Sequence, residues 1–391
     1  MTAPLKGITV LDLSSMLPGP FCSMILGDFG ADVLKIERPL IEGSEEERPW
    51  KPVKNVIFMT DRNKRSITLN LKSQKGMEIF LKLAKDADVI LEGFRPGVME
   101  RLGISYEVIK EINPKIIFCS ISSYGQDGPY RDRVGHDINC LGVSGVLEVT
   151  GKANDSPTIP GILVGDIGAG GMVATIAILL AIIWREKTGK GQYIDVSMLD
   201  GLISFMLPVF ANFLLEGDKS PRGECLPTGG FAAYNIFKTF DEKYVTMGNS
   251  EPQHWRNFCR KIGREDFIEY QYAKEDKNRE ILSFISEMFT KRTRDEWIKE
   301  TEGEDICISP LNAVDEVFSD PQVVHRGLLQ EVHDSMNRDK IRVLRVPMKM
   351  SETPGEIKTP APKIGQHTEE VLIGLGYTKE DIIGFRRNRI V

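Results

Sequence analysis

A carboxylic acid beside glycines is the first candidate for chemistry in this 391-residue chain. Asp166 lies in a glycine-rich run, residues 165–171, that leads directly into an apolar helical stretch. The positive end of a helix favours an ionised acid, and its free N–H groups can bind a ligand oxygen. For a carbonyl substrate, such donors stabilise an oxyanion or enolate. The alternative is that Asp166 only caps the helix, because aspartate is a favoured N-cap residue.

An imidazole is the second candidate. His136 stands between Gly135 and Asp137, at a predicted helix start that follows a glycine-rich loop. Histidine is the side chain best suited to accept a proton at physiological pH. The alternative is a capping or structurally bonded histidine. The other histidines have polar or helical surroundings, and we predict that each is structural: His254, His325, His333 and His367.

A third candidate, Glu251, immediately precedes a predicted helix that begins at Pro252. An acid there could do no more than complement the helix dipole. No spacing along the chain links Glu251 to Asp166. No serine or cysteine lies in a GxSxG elbow, so a hydrolase nucleophile is not indicated.

Basic residues follow or precede several predicted strands. Guanidinium groups at strand ends suit phosphate because the planar fork binds two oxygens at once. The alternative is that these are solvated loop charges, but their convergence from three loops favours a multiply phosphorylated ligand. The residues are Arg38, Arg62, Lys64, Arg65 and Arg95.

The elements that must position these groups alternate between strand and helix. Helical patterns at residues 20–29, 75–87 and 106–112 separate the early β-branched runs, which predicts parallel strands in a doubly wound, Rossmann-like α/β sheet. Such sheets bind ligands at the carboxyl ends of their strands. The predicted strands are 8–13, 33–37, 67–71, 89–94 and 116–120, with another at 193–198. We also predict one helix over about 137–150, a helix at 172–184 that is buried on nearly all sides, and a buried segment at 202–215.

The predicted layout is a large α/β domain with a smaller α+β domain inserted into it. Residues 1–200 form the large domain, which residues 330–391 complete, and 201–224 form a linker rich in Gly and Pro toward its end. Residues 225–325 form the small domain, with a hairpin followed by amphipathic helices.

Composition excludes several classes. The net charge of −6 provides no field for holding nucleic acid. The first strand is followed by Pro18-Gly-Pro20 without GxGxxG, and GxxxxGK[ST] is absent, which disfavours nicotinamide and phosphate-loop sites. The six cysteines have neither metal-like spacing nor a disulfide pattern. With no signal peptide visible, and a longest apolar run of only residues 172–184, we expect a cytoplasmic protein without a membrane partner.

Several motifs in fixed order resemble one known family. The chain from its start to about residue 255, and again in its tail, is similar to the class III CoA-transferase and α-methylacyl-CoA racemase superfamily. The motifs are Leu5-Lys-Gly-Ile-Thr-Val-Leu-Asp-Leu13, Leu26-Gly-Asp-Phe-Gly-Ala-Asp-Val-Leu-Lys-Ile-Glu-Arg-Pro39, Arg62-Asn-Lys-Arg-Ser-Ile67, Gly93-Phe-Arg-Pro-Gly97, Ser123-Tyr-Gly-Gln-Asp-Gly-Pro129, Arg185-Glu-Lys-Thr-Gly-Lys-Gly-Gln192, Asp195-Val-Ser-Met-Leu-Asp200 and Ile364-Gly-Gln-His-Thr-Glu369.

The resemblance implies an acyl-CoA enzyme without a further cofactor, built as an interlocked homodimer with sites between one subunit's large domain and its partner's small domain. The basic loops then bind the CoA phosphates, and Asp166 matches the family's essential aspartate. The pattern around His136 is similar to the racemase branch. There the histidine is a second base, the acid at Asp137 supports the catalytic aspartate, and the acid at Glu251 supports the histidine.

The resulting hypothesis is a racemase of 2-methyl-branched acyl-CoA that moves protons between His136, Asp166 and the α-carbon. The alternative is a class III CoA-transferase in which Asp166 attacks the thioester and forms an anhydride. A non-catalytic CoA-binding dimer is a third possibility, and it would tolerate the loss of both side chains.

Overall fold

The computed structural model describes residues 3–39, 51–333 and 340–391, which fold into two compact units. The first unit comprises residues 1–144, 162–205 and 324–391, and the second comprises 145–161 and 206–323. These bounds differ from the predicted ones, because 145–161 falls in the second unit and the supposed linker is helical over much of its length.

The helices are, in chain order, α1 (Pro18–Asp28), α2 (Lys51–Thr60), α3 (Gln74–Asp86), α4 (Val98–Arg101), α5 (Tyr106–Ile112), α6 (Asp137–Val143), α7 (Val146–Val149), α8 (Val173–Thr188), α9 (Met198–Phe205), α10 (Leu207–Glu216), α11 (Pro252–Lys261), α12 (Glu275–Phe289), α13 (Arg294–Glu300), α14 (Pro321–Arg326), α15 (Thr368–Gly374) and α16 (Lys379–Arg387). A π-helical segment, Gly165–Met172, leads into α8, and short 3₁₀ turns lie at Leu226–Thr228, Glu265–Tyr270 and Val317–Ser319.

The first unit contains a six-stranded parallel sheet in the order β3-β2-β1-β4-β5-β6, which confirms the predicted doubly wound fold. Its strands are β1 (Thr9–Asp12), β2 (Asp32–Glu37), β3 (Lys64–Thr68), β4 (Val89–Glu92), β5 (Ile117–Ser122) and β6 (Gln192–Ser197). The central strands β1 and β4 are largely apolar and buried, because helices cover both faces of a parallel sheet, and each ends in a buried acid, Asp12 or Glu92. The strand order reverses between β1 and β4, where open sheets of this class form a crevice.

The C-terminal return is part of the same unit. His367 accepts a hydrogen bond from the backbone N–H of Ser66 on β3 through Nδ1 (3.1 Å), and Thr368 Oγ1 accepts one from Thr68 N–H (3.1 Å). Apolar residues of α15 and α16 join the core beneath the sheet. The tail therefore completes the β3 edge, and the prediction that His367 is structural is confirmed.

Two predictions about buried helices are wrong. The 172–184 stretch is not buried on nearly all sides, because α8 buries one stripe and leaves Ile176 (58%) and Leu180 (62%) exposed. Residues 202–215, predicted as buried, include α10, which buries none of its residues. A third prediction, one helix over 137–150, fails at Gly145, whose φ of +86° ends α6 and separates it from α7.

The helix that contains the apolar run 172–184 is longer than the run itself. Gly165–Thr188 runs continuously for 24 residues and is long and apolar enough to cross a membrane, and the bent pair of α9 and α10 passes the same test if counted as one span. This is weak evidence for a membrane, because the core helix of a soluble protein passes the same test.

The second unit has its own aromatic core and small sheets. Strands β7 (Tyr234–Lys238), β8 (Tyr244–Gly248) and β9 (Ile308–Pro310) form an antiparallel sheet, and its hairpin is as predicted. Against this sheet pack the buried rings of Trp255, Phe258, Phe267 and Phe289. The remaining hairpin, β10 (Leu329–His333) with β11 (Lys340–Leu344), belongs to the first unit.

Candidate active site

Asp166 lies in the π-helical segment, which close packing holds in place. A Cβ added to Gly170 would lie 2.9 Å from Pro18 Cβ, and one on Gly201 would lie 2.7 Å from Ala169 Cβ. No side chain larger than hydrogen fits at these positions without a shift. Single-turn π segments are uncommon and frequently occur at functional sites. The glycines thus let α1 and α9 approach the backbone that carries Asp166.

The Asp166 carboxyl group has the properties of a proton-transfer group. Among the described residues, none donates a hydrogen bond to its side chain, which is only partly exposed. Burial, and secondly the neighbouring Asp137 carboxylate, raise the pKa of Asp166 from 3.8 to about 6. A partly buried acid that no structural partner satisfies, with a pKa near neutrality, is a candidate for catalysis.

Asp137 ties the two candidate catalytic segments together. It is buried at the first position of α6, and its Oδ1 accepts a hydrogen bond from the backbone N–H of Asp166 at 3.0 Å. A Cβ on Gly165 would lie 2.8 Å from the same oxygen, so glycine is required there as well. His136 immediately precedes Asp137 and is exposed. The fold therefore brings His136 and Asp166 to one corner of the first unit from 30 residues apart in sequence.

The backbone around His136 is fixed on both sides. Asn139 Oδ1 accepts a hydrogen bond from the His136 N–H at 3.0 Å, and the Gly135 carbonyl accepts one from Ser123 Oγ at 2.9 Å. A Cβ on Gly135 would lie 2.9 Å from the Tyr124 hydroxyl oxygen. These contacts fix the backbone of His136, which is the N-cap residue of α6, so the capping alternative describes its backbone position.

The capping alternative for Asp166 is wrong. Val164 already has helical φ and ψ, and Asp166 lies inside the helix rather than at its N-cap. The expected free donors are also missing at two positions, since Asp166 N–H binds Asp137 and Ile167 N–H binds the Leu163 carbonyl at 2.9 Å. These two N–H groups are therefore not available to an enolate oxygen in this structure.

Glu251 belongs to the second unit, where it is the N-cap residue of α11 and mostly exposed. Its Oε2 lies 3.9 Å from His254 Nε2, and His254 Nδ1 lies 3.1 Å from Asp305 Oδ1. Its predicted support for His136 stays a prediction. Of the other histidines, His325 is exposed on α14, and the side chain of His333 lies outside the described part.

The structure corrects part of the predicted phosphate site. Lys64 is fully buried and donates to Asp12 (3.2 Å) and Asp61 (3.1 Å). Although burial opposes its charge, these two carboxylates raise the pKa of Lys64. Arg62 is likewise buried and pairs with Asp28 at 2.6 Å. Both cations neutralise internal carboxylates, so they are structural rather than ligand-facing.

The remaining predicted cations are nearer the surface. Arg38 and Arg95 are exposed just after β2 and β4. Arg65 is only partly exposed and pairs with Asp32 (2.6 Å) and Glu370 (3.3 Å). Arg38 and Arg95 therefore remain the better candidates for phosphate contacts.

Two further arginines were missed from the sequence. A Cβ on Gly97, whose φ is +80°, would lie 3.1 Å from Arg101 Nη1 and 3.3 Å from Arg131 Nη2. The turn after β4, which also carries Arg95, thus lies beside guanidinium groups from α4 and from the long loop after β5. Neither position adjoins a strand end in sequence, and only the tertiary fold brings them together.

Comparisons with known proteins show the family of the chain. Residues 5–368 match the family CoA-transferase family III. The chain is 35% identical over 383 residues to the human succinyl-CoA:glutarate CoA-transferase, covering 94% of this chain and 85% of that protein. It is 33% identical over 390 residues to the human alpha-methylacyl-CoA racemase, covering 99% and 97%.

A solved structure gives the same result. A CAIB/BAIF family protein from Brucella suis superposes with a TM-score of 0.81 at 29% identity, covering 96% of this chain and all of that one. The chain therefore belongs to CoA-transferase family III. Its racemase and transferase relatives are equally similar to it, so the family does not by itself fix the reaction.

Proposed function

We propose that this protein is a racemase that interconverts the (2R) and (2S) forms of 2-methyl-branched acyl-CoA thioesters by two-base proton transfer. The observation that carries the proposal is the Asp166 carboxyl group, which has no hydrogen-bond donor among the described residues and a pKa of about 6. Such a group can both accept and donate a proton near neutral pH.

The mechanism needs two groups on opposite faces of one carbon. A thioester acidifies its α-hydrogen, so one group removes that proton to leave an enolate while the other delivers a proton to the opposite face. In the reverse direction the two groups exchange roles. We assign the second role to His136, and the support for this is that the adjacent residue Asp137 accepts a hydrogen bond from the Asp166 backbone N–H. No cofactor is required, since the thioester itself supplies the activation.

The groups that we assign to the CoA phosphates are Arg38, Arg95, Arg101 and Arg131. Arg38 and Arg95 directly follow β2 and β4, at the edge where a doubly wound sheet binds ligands. Arg101 and Arg131 lie beside the turn at Gly97, and Arg131 also pairs with Asp132 at 3.1 Å. The exposed apolar stripe on α8 supports a homodimer in solution, because a monomer rarely leaves such a stripe uncovered.

The second candidate is a CoA-transferase. It is favoured by the equally similar transferase relatives and by the unpaired Asp166 carboxylate. In this reaction the carboxylate attacks the thioester carbonyl, the C–S bond breaks, and CoA leaves as the thiolate. An aspartyl anhydride remains on the enzyme.

Exchange of the α-hydrogen for deuterium distinguishes the racemase from the CoA-transferase. The protein is incubated with 2-methylacyl-CoA in D₂O, and loss of the α-hydrogen signal is followed by NMR. We expect exchange in the wild type, and a loss of about 100-fold or more in His136→Asn and in Asp166→Asn, the range typical of acid–base groups. His325→Asn, on exposed α14, is the matched control and should leave exchange unchanged.

Two results would reject the racemase. One is full exchange from both the (2R) and the (2S) substrate in His136→Asn, which would show that the imidazole is not a base. The other is CoA transfer to a free acid without α-exchange, together with hydroxylamine trapping at Asp166, which would establish the transferase instead.

A further inference from the structure

A cavity in the first unit is lined by residues outside the segments that carry His136 and Asp166. It lies where the β10–β11 hairpin joins the returning chain, and its volume is about 200 Å³. Residues 326–328, 345–350 and 354 line it. The proposed reaction uses none of them.

Three of the lining residues carry positive charge that the described part of the chain does not neutralise. Arg326, Arg345 and Lys349 make no ion pair and no side-chain hydrogen bond among the described residues. Elsewhere on the same hairpin, Lys340 and Arg342 lie within 4.0 Å of Glu331. The cavity therefore has a surplus of positive charge rather than an internal ion pair.

Arg326 and Arg345 are also partly withdrawn from water, unlike a freely solvated surface charge. A partly buried cation without a counter-charge loses hydration that nothing replaces. A bound anion would supply that missing partner, and a guanidinium fork is suited to the two oxygens of a carboxylate.

The rest of the lining is apolar. Val346 is buried beneath the cavity, and Met348 and Met350 are half exposed at its side. Methionine side chains adapt to irregular apolar shapes. Since about 10–15 Å³ of cavity space is enough for one water molecule, a cavity of about 200 Å³ has room for a small organic molecule.

We infer that this cavity binds a small organic anion, a carboxylate with a short alkyl body. The cations hold the carboxylate and the methionines contact the alkyl chain. Inorganic anions satisfy only the charged half of the site, and uncharged molecules only the apolar half. This inference does not rest on the proposed reaction.

Binding is tested with 2-methylbutyrate as the probe, added to full-length protein labelled with ¹³C at its methionine methyl groups. We expect saturable shifts of the Met348 and Met350 signals, which Met348→Leu and Met350→Leu identify. 2-Methylbutanamide lacks the negative charge and inorganic phosphate lacks the alkyl chain, so each should bind at least about tenfold more weakly than 2-methylbutyrate.

Variants test the charge directly. Arg345→Gln and Arg326→Gln should each weaken 2-methylbutyrate binding about tenfold or more. If one of these variants does not fold, the other still tests the charge. Arg342→Gln removes an exposed arginine of β11, the strand that Arg345 follows; it is the matched control and should bind like the wild type. Equal binding of the amide, unchanged affinity in both arginine variants, or no saturable methionine shift would each overturn the inference. Absence of the shift in a chain that sediments as a dimer would show that a second copy covers the cavity.

Discussion

The charge of Asp137 should set the pH at which Asp166 works. In the structure Asp137 accepts the Asp166 backbone N–H at 3.0 Å, and its carboxylate disfavours a second negative charge nearby. Asp137→Asn keeps an oxygen that can accept this hydrogen bond but removes the charge. The backbone around Asp166 should stay in place, and the pKa of the Asp166 carboxyl group should fall.

The size of the shift follows from the two causes. Burial and Asp137 together raise the pKa of Asp166 from 3.8 to about 6, a rise of about 2, and burial is the larger cause. Asp137 therefore accounts for less than half. We expect the pKa to fall by up to about one pH unit and to stay above 3.8, because burial remains.

The assay is the pH profile of kcat/KM for α-hydrogen exchange, measured separately for each enantiomer. For the enantiomer that Asp166 deprotonates, activity falls on the acid side of its pKa. For the other, Asp166 donates the proton and activity falls on the alkaline side. Both limbs should move to lower pH in Asp137→Asn.

The control is Asp86→Asn, which removes an exposed carboxylate at the end of α3. It should leave both limbs in place. Limbs that do not move in Asp137→Asn, or that move to higher pH, would refute the electrostatic reasoning. A uniform loss of activity at every pH would mean that Asp137 only holds the backbone.

Three further predictions concern buried groups. Burial raises the pKa of Glu92 to about 7, so the stability that its protonated form contributes is present below pH 4.5 and is lost as the pH rises to 7. Between these pH values the free energy of unfolding of Glu92→Gln, measured by urea denaturation, should rise by about 3 kcal/mol relative to that of the wild type. A difference between the two proteins that does not change with pH would contradict this. Lys64→Met leaves Asp12 buried without its cation, while Asp61 keeps its pair with Lys35 at 2.5 Å, and should lower the free energy of unfolding by about 3–5 kcal/mol; an unchanged Tm would contradict this. Gly201→Ala forces a methyl group against Ala169 and should cost about 1–3 kcal/mol together with exchange activity, while Gly374→Ala, with open space around it, should cost neither.

Much of the fold could be predicted from sequence because its signals are local. The β-branched runs of the sheet and the helices between them follow from short-range pattern, and all the predicted strands of the parallel sheet are present. Predictions of burial failed where one local pattern is compatible with both a buried and an exposed helix face. The apolar face of α8 predicted burial, but apolar residues in sequence do not say which contacts cover them.

The candidate site, like the fold, could be predicted from the sequence only in part. The type and place of Asp166 and His136 were visible in the sequence, because glycines and a helix start surround them. The sequence did not show that Asp137 joins their backbones, since that hydrogen bond spans 29 residues. Nor could it separate Lys64, buried between two aspartates, from cations that face solvent.

The parallel α/β class, the candidate proton-transfer groups and the basic character of the loops could all be predicted from the order of residues along the chain. Which of the charged groups are paired inside the protein could be seen only after the chain had folded. The tertiary structure paired Arg62 and Lys64 internally, left Asp166 without a donor among the described residues, and brought Arg101 and Arg131 to the turn at Gly97. The physical reason is that the chemistry of an ionisable group depends on its burial and its neighbours, and these are set by contacts between segments far apart in the chain.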